Sequence, residues 1–152
     1  MEKKYSFTTD LHGYVCDARL HDKVIINHSY SEDDQVFQLY ALGQNVSVEV
    51  RFEGVTKIAM RNFINGTICE GLYAWTMRDS YYIDSTFSRK KEAWNLLFLH
   101  FSEDIEERKN LAHSIVDEHK EGVLAYLACD IYGGDAVIIC NDIHCVVNDG
   151  CS

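Results

Sequence analysis

The sequence predicts an α+β fold: a predominantly antiparallel β-sheet meander with one amphipathic helix near residues 103–120, built as a single domain over residues 1–152. Three observations carry this. Val46–Ser47–Val48–Glu49–Val50–Arg51–Phe52 alternates apolar and polar side chains with the period of a half-buried antiparallel strand. Ser102–Glu121 switches to a helical period. Short Gly, Asn, Asp and Ser clusters punctuate the chain, which has no proline, so its turns must rely on those residues.

Taken in order, Tyr14–Leu20 alternates Tyr14, Cys16, Ala18 and Leu20 against Val15, Asp17 and Arg19, which predicts a first strand. Lys23–Tyr30 is rich in β-branched residues and is followed by the polar loop Ser31–Gln35. Val36–Leu42 and Val46–Phe52 flank Gly43–Gln44–Asn45, a hairpin with a glycine-containing turn. Thr56–Ile64 and Thr67–Met77 flank Asn65–Gly66, whose tolerance of positive φ predicts a type I′ hairpin. Ser80–Phe87 is a further strand candidate. Trp94–Phe101 is apolar on both sides, and its period does not separate a buried strand from a helix.

From Ile105, a step of about 100° per residue gathers Arg108, Leu111, Ala112, Ile115, Val116 and His119 in one arc of about 140°. Ser102 is the expected N-cap. Glu103 and Asp104 suit the positive end of the helix dipole, and Gly122 can end the helix. Val123–Tyr132, Ala136–Cys140 and Ile143–Val147 then form a terminal three-strand meander, turning at Gly133–Gly134–Asp135 and Asn141–Asp142, for about nine strands in all.

Acidic side chains outnumber basic ones 24 to 14, giving a net charge of −10. That argues against nucleic acid or an anionic membrane as partner, both of which require basic surface, and suits a basic protein partner. No run approaches the ~20 apolar residues of a membrane span. Met1–Ser6 is followed by Phe7–Thr8–Thr9–Asp10 and not by the apolar core of a signal peptide, so a cytoplasmic location is expected. The triplets at Asn27, Asn45 and Asn65 that match the glycosylation pattern are then chance, and the six cysteines are expected to be free thiols. Apolar neighbours predict that Cys129 and Cys140 are buried, whereas Cys151 lies exposed at the terminus.

No catalytic motif interrupts the strands. Cys140, His144, Cys145 and Cys151 are close enough in sequence to suggest zinc, but on a strand His144 and Cys145 point to opposite faces, so no metal or other cofactor is expected. Asp10 and His12 would share a strand face if extended and could hydrogen-bond; they read first as a polar pair closing the N-terminal turn, with an acid–base pair as the alternative. His21–Asp22 reads as a turn. No glycine-rich phosphate cradle occurs. Tyr73, Trp75, Tyr81, Tyr82 and Phe87 cluster around the Asn65–Gly66 turn as core residues with an exposed subset suited to an interface.

The strand pairs opened by Asp10–Leu11–His12–Gly13 and by Val48–Glu49–Val50–Arg51–Phe52–Glu53–Gly54–Val55, with the terminal run Ile138–Ile139–Cys140–Asn141–Asp142–Ile143, resemble in layout small β-rich immunity proteins of bacterial contact-dependent and polymorphic toxin systems. The resemblance spans most of the chain and has no signature residue. It implies an acidic cytoplasmic protein, not an enzyme, that binds and neutralises a cognate basic toxin domain. The candidate contact residues, read from charge and exposure, are Glu32, Asp33 and Asp34 in the loop and Glu106, Glu107, Asp117 and Glu118 on the helix. A small enzyme using a His/Asp or Cys/His grouping, or a β-rich interaction module of another role, is the alternative.

Overall fold

The computed structural model describes residues 4–80, 88–98, 104–129 and 134–149. Within them lie eight strands and two α-helices: β1 (Val24–Ser31), β2 (Val36–Gly43), β3 (Val46–Glu53), β4 (Lys57–Arg61), β5 (Cys69–Thr76), α1 (Ser88–Leu97), α2 (Ile105–Glu118), β6 (Val123–Cys129), β7 (Asp135–Cys140) and β8 (Asp142–Asn148). The α+β, mainly antiparallel character is as the sequence predicts. The strands form two four-stranded sheets, in the orders β1-β2-β3-β8 and β4-β7-β6-β5, and every pairing is antiparallel.

The alternation in β2 and β3 explains the first sheet. Phe37, Leu39 and Ala41 pair with Phe52, Val50 and Val48 and turn inward, while Gln38 and Tyr40 pair with Arg51 and Glu49 on the outer face. The inward side chains meet Cys69, Leu72 and Ala74 of β5, Val123, Ala125 and Leu127 of β6 and Ala136, Ile138 and Cys140 of β7 in one core between the sheets. The other face of the second sheet carries Trp75, Leu124, Tyr126, Val137 and Ile139, which join Ala93, Trp94 and Leu97 of α1 and Ala112 and Ile115 of α2 in a second core. The layers are therefore sheet, sheet, helices. β6 and β7 are covered on both faces, which is why they read as continuous apolar runs without alternation.

Several boundaries differ from expectation for identifiable reasons. Tyr14–Leu20 is not a strand. Cys16–Ala18 forms a 3-10 turn, and only Tyr14 and Val15 make β-bridges, the segment covering the β5 edge through Val15 N–H to Leu72 O (2.8 Å) and Ala74 N–H to Gly13 O (2.8 Å). The β2–β3 hairpin turns at Gln44–Asn45, both at positive φ, with Gly43 still paired to Val46. Asn65–Gly66 turns but makes no hairpin. Only Gly66 has positive φ, whereas type I′ needs two such residues, and β4 and β5 occupy opposite edges of their sheet.

The terminal meander is also broken. β6 and β7 form a hairpin, but the chain switches sheets at Asn141, whose N–H donates to Glu53 O at 2.8 Å, and β8 pairs with β3. Residues 94–97 belong to α1, with the Trp94 indole N–H donating to Ser80 O at 2.8 Å. The N-cap of α2 is Asp104, whose carboxylate accepts the Glu106 N–H, and the helix ends at His119 ahead of Gly122. Residues 81–87 of the Ser80–Phe87 strand candidate, residues 99–101 and 130–132, and the proposed cap Ser102 lie outside the described residues. No described helix is long and apolar enough to cross a membrane.

Candidate functional site

The acidic residues singled out in the sequence are all exposed, and the fold links part of them. The β1–β2 turn holds Glu32, Asp33 and Asp34, ordered by Ser31 Oγ donating to Asp34 Oδ2 (3.2 Å) and by Gln35 N–H donating to Glu32 O (3.3 Å). Gln35 O accepts the Val55 N–H at 2.9 Å, and the next residue, Thr56, donates its N–H to Ile139 O at 2.8 Å. Thr56 lines a cavity of ≈ 300 Å³ whose wall continues through Asp117, Glu118, His119, Lys120 and Glu121 at the end of α2. The turn of the loop acids is thus tied through Val55 and Thr56 to the end of the molecule where the C-terminal helix acids line that cavity. Glu106 and Glu107 do not join them, because eleven helical steps set Glu106 about 16 Å from Asp117 along the axis. They sit in the first turn of α2, where the dipole favours acids, and Glu106 lies 3.8 Å from Lys109.

Asp117 and Glu118 are placed less comfortably. They occupy the last turn of α2, where unpaired carbonyls already make the helix end negative, and that turn holds no basic residue. Asp117 has no ion pair among the described residues. Glu118 Oε2 lies 3.9 Å from His119 Nε2, beyond hydrogen-bond reach, and that buried nitrogen has no hydrogen-bond partner among the described residues.

Strand register adds acids that sequence reasoning missed. Glu53 and Asp142 are paired across β3 and β8, beside Arg51 and His144. His144 Nε2 lies 3.1 Å from Glu53 Oε2 and 3.7 Å from Asp142 Oδ2, and Arg51 Nε lies 3.3 Å from Glu53 Oε1. Burial pushes the Asp142 carboxyl up, but hydrogen bonds from Ser6 N–H, Ser6 Oγ–H and Ile143 N–H outweigh it and hold the group below its ordinary value. Only the contiguity of β8 with β3 reveals this cluster.

A second polar cluster lies under α1. Arg61 forks onto Asp135 (3.1 and 3.0 Å), Tyr126 Oη donates to Asp135 Oδ2 (2.6 Å), and Arg89 pairs with Glu92 (3.0 Å) and Glu70 (2.7 Å). With Gly134 and Cys129 these groups, Glu70 apart, border a cavity of ≈ 270 Å³. Burial and the Asp135 bond raise the Tyr126 phenol well above its usual range, so it stays protonated and acts as a donor. Burial opposes the charge on Arg89, but Glu70 and Glu92 hold it. Two guanidinium groups bind three carboxylates here, and the arrangement ties the helical layer to the sheet. An aspartate opening the apolar run Asp135–Cys140 is the signal that could have revealed it.

The other candidates separate. Asp10 Oδ1 accepts the backbone N–H groups of His12 (2.8 Å) and Tyr14 (3.0 Å), as expected of a residue closing a turn. His21 and Asp22 meet at 3.3 Å on an exposed turn. His144 faces outward while Cys145 and Cys140 line the core between the sheets, and no group of three metal-binding side chains occurs among the described residues. Cys140 is buried as expected, Cys129 is only half-buried, and Cys151 lies outside the described residues. Trp75 is buried and stacks on Tyr73 at 6.3 Å; Tyr81, Tyr82 and Phe87 lie outside the described residues. Compared with known protein families, curated proteins and solved structures, this chain matches none.

Proposed function

We propose that this chain is a non-enzymatic binding protein that presents its acidic end to a basic protein partner, and that it serves as a cytoplasmic immunity protein neutralising a bacterial toxin domain. The observation that carries the reading is the placement of Asp117 and Glu118. Acids at a helix C-terminus destabilise an isolated helix, and here no basic side chain in that turn offsets them. A partner's lysines and arginines would relieve that repulsion, as they would for Glu32, Asp33 and Asp34 in the turn tied to that end. Charge complementarity of this kind raises association rates and disfavours wrong partners. The layout resemblance to immunity proteins and the net charge of −10 agree with it.

The test uses the product of the reading frame immediately upstream as the binding partner. Stopped-flow association should slow by roughly tenfold or more when Asp117 and Glu118 are both changed to Lys, and the loss should shrink as salt rises. Glu106→Lys with Glu107→Lys, at the far end of α2, should have the smaller effect. A non-binding neighbour refutes the immunity reading. Equal rates for wild type and for combined reversal of the loop and C-terminal acids refute the acidic interface itself.

A further inference from the structure

Cys69 and Cys129 stand directly opposite each other in the β5–β6 pairing. Both backbone groups of Cys69 point away from β6: its N–H donates to Lys23 O (2.8 Å), and its C=O accepts the Asp22 N–H (2.9 Å). An antiparallel residue aims N–H and C=O to the same side, so Cys69 and Cys129 form a non-hydrogen-bonded pair, as Leu72–Leu127 and Ala74–Ala125 do. Such pairs hold their Cα atoms about 4.5 Å apart, at the short end of the range a disulfide spans. Both side chains face the core between the sheets, and the Cys69 thiol, beside Cys129, donates to Ala128 O at 3.6 Å. Cys69 is completely buried, whereas Cys129 ends its strand and is half-buried.

We propose that Cys69 and Cys129 are an oxidation site, a dithiol that a peroxide converts to a cross-strand disulfide. Cys129, the accessible member, attacks as its thiolate and breaks the peroxide O–O bond. It becomes a sulfenic acid and releases hydroxide, which leaves as water. The Cys69 sulfur then attacks the Cys129 sulfur, forming S–S and breaking S–O. The Cys69 proton leaves with the expelled hydroxide as a second water. Two thiols and one hydrogen peroxide give one disulfide and two waters. The neighbouring Cys129 and burial raise the Cys69 thiol well above its ordinary value, so it is a poor first nucleophile and reacts through its position against the sulfenic acid. The crosslink would close the chain across the whole helical insertion between β5 and β6, anchoring the base of α1 and α2.

Folded wild-type protein treated with a small excess of hydrogen peroxide, quenched with N-ethylmaleimide and digested should yield a peptide pair joined at Cys69 and Cys129, lighter by two hydrogens and split by dithiothreitol. The same oxidation should raise Tm by about 5–10 °C, reversibly, because the bond closes a loop of some sixty residues. In Cys69→Ala, checked for wild-type circular dichroism, a dimedone adduct should accumulate at Cys129. Sulfinic acid at Cys129 of the wild-type protein without the linked peptide, or a disulfide joining other cysteines in its place, overturns the proposal. The wild-type mass map and Tm shift decide it even if the variant fails to fold.

Discussion

Tyr126 donates its hydroxyl to Asp135 across the β6–β7 hairpin at 2.6 Å, and Asp135, only 4% exposed, takes the Arg61 fork on the same carboxylate. The phenol and the guanidinium jointly solvate a charge that the sheet has removed from water. Tyr126→Phe removes one charge-assisted hydrogen bond without changing the ring volume. It should cost about 2 kcal/mol in urea unfolding. A change below about 0.5 kcal/mol would mean that Arg61 alone satisfies the carboxylate.

Gly134 enters the same hairpin where there is no room for a side chain. A Cβ there would lie 1.6 Å from the Arg61 carbonyl oxygen and 2.4 Å from the Asn62 carbonyl carbon, both backbone atoms that cannot rotate away. Gly134→Ala must push β4 off β7 and loosen the Arg61–Asp135 pair. A loss of about 3 kcal/mol is expected, read as a fall in Tm of roughly 6–12 °C. An unchanged Tm would show that the strand edge yields freely.

These positions show what the sequence could and could not convey. β2, β3 and α2 are legible because each buries one face, and a period of two or of 3.6 residues survives in the chain. β6 and β7 are buried on both faces, so they announce burial but not partners. Asn65–Gly66 is a turn signal, and turn chemistry is local; it does not say that the chain leaving Arg61 crosses to the far edge of the sheet. The exposed acids are legible singly. Their linkage depends on Val55 bonding to Gln35 and on β8 joining β3, long-range pairings that no local pattern encodes. Cys69 opposite Cys129 was hidden similarly, behind a register set by the irregularity between Cys69 and Gly71.

Asp142 should make the attachment of the N-terminal segment sensitive to acid. Ser6 bonds it through N–H (2.9 Å) and Oγ–H (2.7 Å), and Tyr5 and Phe7 pack on the core to either side. Its folded pKa is depressed, so its contribution is present above the unfolded carboxylate value, near 3.9, and is lost as pH falls through the folded value. Asp142→Asn should be less stable than wild type by about 1–2 kcal/mol at pH 7, with the gap narrowing at about pH 3. A gap of equal size at both pH values would show that the carboxylate charge plays no part.

Asp117 and Glu118 predict a trade between stability and binding that is measurable without any partner. Both carboxylates face the negative end of α2, with no base in that turn and, for Asp117, no ion pair among the described residues. Neutralising them removes the unfavourable dipole interaction while leaving nearly the same shape. Asp117→Asn with Glu118→Gln should therefore stabilise the isolated protein by about 0.3–1 kcal/mol per site at low ionic strength, and by less in 0.5 M salt. The same double variant should bind a basic partner more slowly. Destabilisation at low salt would mean that the two acids make favourable contacts in the free protein, removing the argument that they await a cationic partner. Glu106→Gln supplies the internal control. It lies at the positive end of the same helix, 3.8 Å from Lys109, so neutralising it should destabilise α2 by a similar few tenths of a kcal/mol. Opposite signs at the two ends of one helix would isolate the dipole from any general effect of lowering the net charge.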